Sequence, residues 1–193
     1  MMHPTDADKT AMTATMMTAL GEDLRQRLKP VFATLPLEQA MSKLVVDQPA
    51  APTAHKAVSE AIGEGELERD APALAAGLWL YVDDLDRSHR ISQNLDTPTG
   101  SFWHAIMHRR EGDFSNSRYW FRRVGTHPAF ARIYLGGGPG SSGTDEARYD
   151  PMRFIDRVER AVREGDAEHP ELVAMQRHEW LGLFEWAAEH HDR

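Results

Sequence analysis

Two histidines four residues apart, His104 and His108, are the side chains whose spacing points most directly to chemistry. On a helix they lie on one stripe with Ser101 and Glu111, because residues three and four apart are neighbours on its surface. Two imidazoles at this spacing can bind one divalent metal ion, with Glu111 as a third ligand or a general base. The zinc-protease pattern HExxH is absent, since Ala105 follows His104.

Three interpretations of this polar stripe stay open at the level of sequence. In the first, the histidines hold a metal ion. In the second, the same residues form a metal-free site in which imidazoles and Glu111 transfer protons, since histidine titrates near neutral pH. In the third, the stripe is structural, either as a solvated polar face or as histidines that bond to carbonyl groups of the core.

An apolar stripe at three- and four-residue steps predicts a long helix over Ala71–Gln93, with a first half that is apolar nearly all round and therefore buried. His89 continues the stripe, which predicts that it is partly buried. We expect His89 and Asp84 to face His104 and His108 across a helix pair. Asp84 would then complete a metal-ligand set with His104 and His108, or orient an imidazole.

Three aspartates, Asp83, Asp84 and Asp86, fall in the C-terminal half of that predicted helix. The helix dipole disfavours negative charge there by about 0.3–1 kcal/mol at each exposed position. The alternative to a functional role is local neutralisation, in which Asp83 pairs with Arg87 and Asp86 pairs with Arg90.

Arginines and aromatic residues crowd the next segment, HRREGDFSNSRYWFRR. The planar guanidinium fork binds carboxylate and phosphate groups, and aromatic rings add stacking and cation–π contacts. This predicts an anion-binding wall that comprises Arg109, Arg110, Arg118, Arg122, Arg123, Tyr119 and Trp120. Two alternatives stay open. The arginines can neutralise Glu111, Asp113 and the aspartates of the predicted long helix. Alternatively, the same residue types can form a protein-interaction surface, where Arg, Trp and Tyr dominate binding energy.

The span GLWLYVDDLDRSHRISQ…TPTGSFWHAIMHRREGDFSNSRYWFRRVG resembles a group of small, uncharacterised soluble proteins that share a WHxIMHRREGDFSNxxYWFRR-type segment. The resemblance covers roughly residues 77–130 and leaves out the N-terminal third and the last helices. It implies that this span is one structural unit. It implies no activity and assigns no residue a role.

Charge is distributed unevenly along the chain. The net charge is −8, but residues 104–123 carry +3 and the remainder carries −11. The acidic field disfavours nucleic acid, although alternating arginine and aromatic residues also occur on surfaces that bind single strands. A basic island in an acidic protein favours a small anionic partner, or internal pairing with the acids.

The chain contains no cysteine, which excludes disulfides, thiolate zinc sites, iron–sulfur clusters and cysteine nucleophiles. This composition favours a reducing compartment, and we expect a cytoplasmic location. No run of about 18 apolar residues is present, so we expect no membrane-spanning helix. The N-terminal segment lacks the basic and apolar regions of a signal peptide.

Periodicity, proline and glycine predict an all-α protein, an irregular helical bundle of about six to eight helices. We expect a loosely ordered tail over residues 1–18, a single domain over 19–193 and a flexible glycine-rich connector at Leu135–Glu146. The helices Ala71–Gln93 and Glu171–His190 should form the centre. The remaining predicted helices are Gly21–Leu35, Leu37–Val46, His55–Ile62, Ser101–Arg110, Asn116–Val124 and Met152–Glu164, and the predicted core residues are Trp79, Leu80, Trp103, Trp180, Phe184 and Trp186.

These features favour a small-molecule enzyme or binding protein for an anionic or carbonyl-bearing ligand, with a divalent metal as the candidate cofactor. His89, His104 and His108 would be acid–base groups or metal ligands. A non-catalytic interaction protein, including one that self-associates, is the competing class. The structure can distinguish these two classes. A pocket in which His89, His104 and His108 converge favours the enzyme or binding protein, whereas a flat, exposed patch with Tyr119 and Trp120 favours the interaction protein.

Overall fold

The computed structural model describes residues 16–18, 20–46, 48–133 and 149–190, and these residues are helical or irregular, with no strand among them. The chain is an irregular helical bundle, as predicted. Eight of the α-helices in the described ranges have eight residues or more. The predicted connector Leu135–Glu146 and residues 1–15 of the predicted tail lie outside the described residues.

The helices are α1 Glu22–Thr34, α2 Pro52–Ile62, α3 Glu66–Asp70, α4 Pro72–Tyr81, α5 Leu85–Ser92, α6 Pro98–Arg110, α7 Phe114–Val124, a 3₁₀ helix Pro128–Arg132, α8 Pro151–Arg163 and α9 Pro170–Glu189.

Several helices begin where proline and a capping side chain predict. Asp150 accepts hydrogen bonds from the first-turn amides of α8, and Pro151 occupies a position where no backbone donor is needed. The predicted helix Ser101–Arg110 begins earlier in the structure, at Pro98, because the Thr97 side chain accepts from the Gly100 amide. Capping therefore extends α6 by one turn toward its N-terminus.

The core lies where α4, α6 and α9 meet. Trp79, Leu80, Trp103, Trp180 and Phe184 are buried there, as predicted. The packing is close enough that a side chain at Gly77 would meet Trp103 and Phe184, and the Trp180 indole donates to the Gly77 carbonyl at 2.8 Å. The prediction was wrong for Trp186, which is partly buried at the edge and stacks on His190.

The predicted long helix Ala71–Gln93 is two helices, α4 and α5, separated at Val82–Asp84. Asp83 adopts a left-handed backbone with φ of 58°, which ends the α-helical path. Asp84 then caps α5, because its side chain accepts from the Arg87 amide. The aspartates therefore lie at the start of a helix, where the dipole favours negative charge, and the predicted penalty is wrong.

The predicted helix Leu37–Val46 is also wrong. This segment is a series of turns and bends, and Met41 has a positive φ of 50°. Its carbonyl groups bond to other parts of the chain: Gln176 donates to the Met41 and Lys43 carbonyls, and Arg177 donates to the Ala40 carbonyl. Long side chains from α9 thus replace the intrahelical partners that a helix would supply.

Candidate metal centre

Three histidines from two helices converge in the structure. His89 of α5 and His104 and His108 of α6 each offer one ring nitrogen, and these nitrogens lie within 4.8 Å of one another. The ring centroids of His89 lie 4.7 Å from His104 and 5.5 Å from His108, and those of His104 and His108 are 4.6 Å apart. The sequence prediction that these imidazoles face each other across a helix pair is confirmed.

His104 is the most enclosed of the three. It is 3% exposed, and its ring stacks on Trp120 of α7 with centroids 4.0 Å apart. Its Nδ1 atom is buried and has no hydrogen-bond partner among the described residues. Burial and the neighbouring His108 and His89 lower its pKa to about 3, so the ring is neutral at physiological pH. The interpretation of this stripe as a solvated polar face is therefore wrong for His104.

Trp120 reaches His104 because α7 packs tightly on α6. The buried Ser117 hydroxyl donates to the Ala105 carbonyl at 2.8 Å, which fixes the two helices in register. One turn later, Trp120 covers the His104 ring. Sequence reasoning placed Trp120 on a ligand-binding wall but missed this stacking, because it depends on the crossing of α6 and α7.

His108 has a defined tautomer. Its Nδ1 lies 2.5 Å from a carboxylate oxygen of Glu111. A carboxylate only accepts, so Nδ1–H of His108 donates and, in the neutral ring, Nε2 keeps its lone pair. A carboxylate behind a histidine in this manner orients the ring and strengthens it as a ligand in metal sites. Glu111 is exposed and supports His108 from outside the three-histidine group.

His89 is partly buried at the open side of the cluster, as predicted. Burial and His108 lower its pKa, while the carboxylates of Glu111 and Asp86 act in the opposite direction. Its ring stands nearly perpendicular to that of His104, at 87°. The cluster is therefore most enclosed at His104, which stacks on Trp120, and most accessible at His89.

The spacing of the three ring nitrogens is close to that of the donors around a tetrahedral ion. Zn²⁺–N bonds of about 2.0–2.1 Å place donors roughly 3.4 Å apart, and the three nitrogens lie within 4.8 Å of one another. Burial and the neighbouring His108 lower the pKa of both His89 and His104, which favours the neutral form of the ring that binds a metal. The fourth coordination position would be left for water or a ligand.

Asp84 does not join this cluster, so its predicted role as a metal ligand with His104 and His108 is wrong. One carboxylate oxygen accepts from the Arg87 amide at 3.1 Å, and the other accepts from the His55 ring at 2.8 Å. The break in the predicted long helix moves Asp84 to a cap, away from the face that carries His89.

A second group of ligand atoms combines His108, Glu111 and Asp113. Asp113 caps α7, where its two oxygens accept from the amide and the side chain of Asn116. Glu111 is already bonded to His108. This group is therefore satisfied by hydrogen bonds, unlike the three-histidine group with its unpartnered nitrogen.

Three arginines of the predicted anion wall form internal ion pairs. Arg110 is fully buried and pairs with Asp83. Arg109 is fully buried and donates from both terminal nitrogens to Glu179 of α9. Arg118 pairs with Asp156 and Glu159 of α8 at 2.7 and 2.5 Å. The alternative interpretation, internal neutralisation, holds for all three. Asp83, the partner of Arg110, is one of the aspartates that this interpretation named, whereas Arg109 and Arg118 pair with acids on α9 and α8.

Arg122, Arg123 and Tyr119 remain on the surface of α7. The Arg123 guanidinium lies 5.3 Å from the Trp120 ring centroid and 4.0 Å from Asp96. Tyr119 is 50% exposed and packs its edge on Trp120. These side chains are accessible, and Trp120 connects them to His104.

His127 is a buried histidine whose ring nitrogens both contact groups of the protein, as expected for a structural role. It is 3% exposed, as His104 is, but both ring nitrogens are bonded: Nδ1 accepts from the Ala129 amide and Nε2 contacts the Thr99 hydroxyl, each at 3.1 Å. Burial and His190 lower its pKa to about 4. His127 is therefore a matched control for His104, because the two rings are equally buried but only His127 has both ring nitrogens bonded to protein groups.

The lowered pKa of His127 predicts an acid-sensitive contribution to stability. The unfolded chain takes up a proton at a pKa of about 6.5 and the folded chain only near 4, so this contribution is lost as the pH falls through that window. Urea denaturation should show a smaller loss between about pH 7 and about pH 4.5 for His127→Gln than for the unmodified protein. Equal losses of stability in the two proteins would contradict a lowered pKa of His127 in the folded chain.

No helix of the described residues is both long and apolar enough to cross a membrane. Comparisons with protein-family models, curated proteins and solved structures find no match to this chain. The resemblance of residues 77–130 to a group of small soluble proteins therefore stays a prediction. The case for function depends on the site itself.

Proposed function

We propose that this protein binds one divalent transition-metal ion, such as Zn²⁺, through His89, His104 and His108, and that the ion binds or transforms a small anionic or carbonyl-bearing ligand. The observation that supports this most is the convergence of the three imidazoles, of which the most enclosed, His104, has a buried Nδ1 that lacks a partner among the described residues. An unpartnered buried polar atom costs about 1–3 kcal/mol. An ion that takes this nitrogen as a ligand would remove that cost.

The charge of the ligand set supports an anionic partner. Three neutral imidazoles leave both positive charges of the ion uncompensated, and Glu111 offsets one of them through His108. The fourth position therefore favours hydroxide, a carboxylate, a phosphate or a carbonyl oxygen. Zn²⁺ in such a site supplies Lewis-acid chemistry, since it polarises a carbonyl group or lowers the pKa of bound water to about 7. Arg123, beside Trp120, adds positive charge nearby.

Titration of chelator-treated protein with Co²⁺ tests the metal proposal. We expect saturation at one ion per chain, the intense visible absorption of four-coordinate Co²⁺, and displacement by Zn²⁺. A protein with no saturable binding, or with only the weak absorption of six-coordinate Co²⁺, would rule out this centre.

The ligand class is tested on the same Co²⁺-loaded protein. Acetate or inorganic phosphate should shift the visible spectrum in a saturable manner, because an anion replaces water at the fourth position. A primary ammonium ion at the same ionic strength is the control and should leave the spectrum unchanged. Saturation by the ammonium ion alone would contradict an anionic ligand.

A non-catalytic interaction role is the second candidate, and the exposure of Tyr119 favours it. Tyr119, Arg122 and Arg123 present an aromatic and basic surface on an acidic protein, which suits a second copy of the chain. Sedimentation of the unmodified protein and a Tyr119→Ser, Arg122→Ser double variant separates the candidates. Self-association that disappears in the double variant, without metal binding in either protein, would favour interaction. The cysteine-free composition supports a cytoplasmic location for either role.

A further inference from the structure

The helix that carries His89 has little apolar packing of its own. Within α5, the buried residues are Ser88 and Ser92, while Leu85 and Ile91 are only partly buried. A helix usually takes its position from a buried apolar stripe. The position of α5, and therefore of His89, must depend strongly on polar contacts, and these are concentrated at its first residues.

Asp83 connects the start of α5 to the end of α6. Its carboxylate accepts from Arg110 at 2.5 Å, and Arg110 is fully buried two residues after His108. The same guanidinium donates to the carbonyls of Leu80 and Lys43 at 3.2 and 3.1 Å. Asp83 holds this contact from a left-handed backbone conformation that non-glycine residues adopt rarely.

Asp84 connects the start of α5 to α2. One of its oxygens caps α5 by accepting from the Arg87 amide, and the other accepts from His55 of α2 at 2.8 Å. The Arg87 side chain also lies 3.5 Å from that second oxygen. Two adjacent carboxylates thus fix the first turn of α5 against two different helices.

We propose that Asp83 and Asp84 are positioning residues for the three-histidine centre, which set the distance of His89 from His104 and His108 by fixing α5 to α6 and α2. Neither residue touches the ion. The inference rests on the proposed function, because metal affinity is the property that these residues control. Loss of either contact would let α5 shift and move one of three ligands away from the other two.

An Asp83→Asn variant tests the first contact. Asparagine tolerates the left-handed backbone, so this change removes the charge and keeps the turn. We expect Co²⁺ affinity to fall by about 10-fold or more, as for outer-shell partners in other metal sites, and the visible absorption to weaken as His89 leaves the ion. A His55→Ala variant releases Asp84 at a partly exposed position and should lower affinity by a smaller factor while the protein stays folded.

Glu189→Gln is the control, because it breaks an ion pair with Arg132 that joins α9 to the 3₁₀ helix and leaves α5 alone. It should reduce stability without changing Co²⁺ affinity or spectrum. If the unmodified protein binds no ion, the proposed function fails. The positioning role fails, while the metal centre stands, if the unmodified protein binds one ion and both variants bind it equally well. For Asp83→Asn, this comparison uses every sample that is folded.

Discussion

Replacing His104 by alanine is expected to abolish stoichiometric metal binding. His104 is the most enclosed of the three histidines, and the two remaining imidazoles, which lie on different helices, cannot hold an ion with comparable affinity. Changes outside the coordination shell cost about 10–100-fold in affinity, so loss of a ligand should cost more than about 100-fold. Metal content after dialysis against buffered Zn²⁺ measures the effect, and His108→Ala should behave in the same way.

His127→Gln is the matched control for that experiment. It removes a histidine of the same burial whose nitrogens are already bonded inside the protein. We expect this variant to lose stability and to retain one ion per chain. Equal metal content in His104→Ala and the unmodified protein would exclude the three-histidine centre, whatever the stabilities of the variants.

Breaking the buried ion pair between Arg109 and Glu179 should produce the largest loss of stability. Both side chains are fully buried, Tyr149 donates a further hydrogen bond to Glu179, and the Arg109 guanidinium lies 4.4 Å from the Phe154 ring centroid. Burial disfavours the charged form of Arg109, but Glu179 outweighs it and the pKa of Arg109 lies above its usual value. Glu179→Gln leaves a buried charge without its counterion, which costs about 3–5 kcal/mol.

Urea denaturation measures this loss, with Glu189→Gln as the exposed counterpart. The pair of Glu189 and Arg132 is partly exposed, so its loss should cost less than about 1 kcal/mol. A double variant, Arg109→Met with Glu179→Leu, should recover much of the stability because it removes both charges together. A Glu179→Gln variant as stable as Glu189→Gln would show that the buried pair is not needed to hold α6 against α9.

Local signals predicted the elements that carry the site. Spacing placed His104, His108 and Glu111 on one stripe of a helix, and the structure has the histidines on α6 with Glu111 as its C-terminal cap. The predicted helix Met152–Glu164 agrees within one residue at each end with α8, which Asp150 caps. These predictions succeeded because capping and helical spacing are decided within a few residues.

The residues at the break between α4 and α5 include a local signal for the start of a helix. The continuous apolar stripe outweighed this signal in the sequence prediction. Aspartate at a helix cap and again in the first turn is a typical start of a helix, and Asp84 and Asp86 supply both. The apolar stripe continued across the break, so spacing alone favoured one helix. Asp83, at the left-handed turn, accepts a hydrogen bond from Arg110, which lies 27 residues away. No local rule predicts that partner.

The roles of the arginines depended on tertiary contacts even more. Arg109 and Glu179 are 70 residues apart, and Arg118 pairs with acids that lie on α8. Composition predicted that the basic island would either bind an anion or be neutralised internally. The packing of α6 on α9 and of α7 on α8 decides which arginines are paired inside the protein, such as Arg109 and Arg118, and which stay exposed, as Arg122 and Arg123 do.

X-ray absorption at the zinc edge tests the convergence of the three imidazoles most directly. For protein loaded with one Zn²⁺ per chain, the account predicts a shell of about four light atoms, with three imidazole nitrogens at about 2.0–2.1 Å and the outer-shell scattering of their rings. Removal of His104 should abolish the tightly bound ion that gives this spectrum. A shell of six oxygens without imidazole scattering would contradict the account.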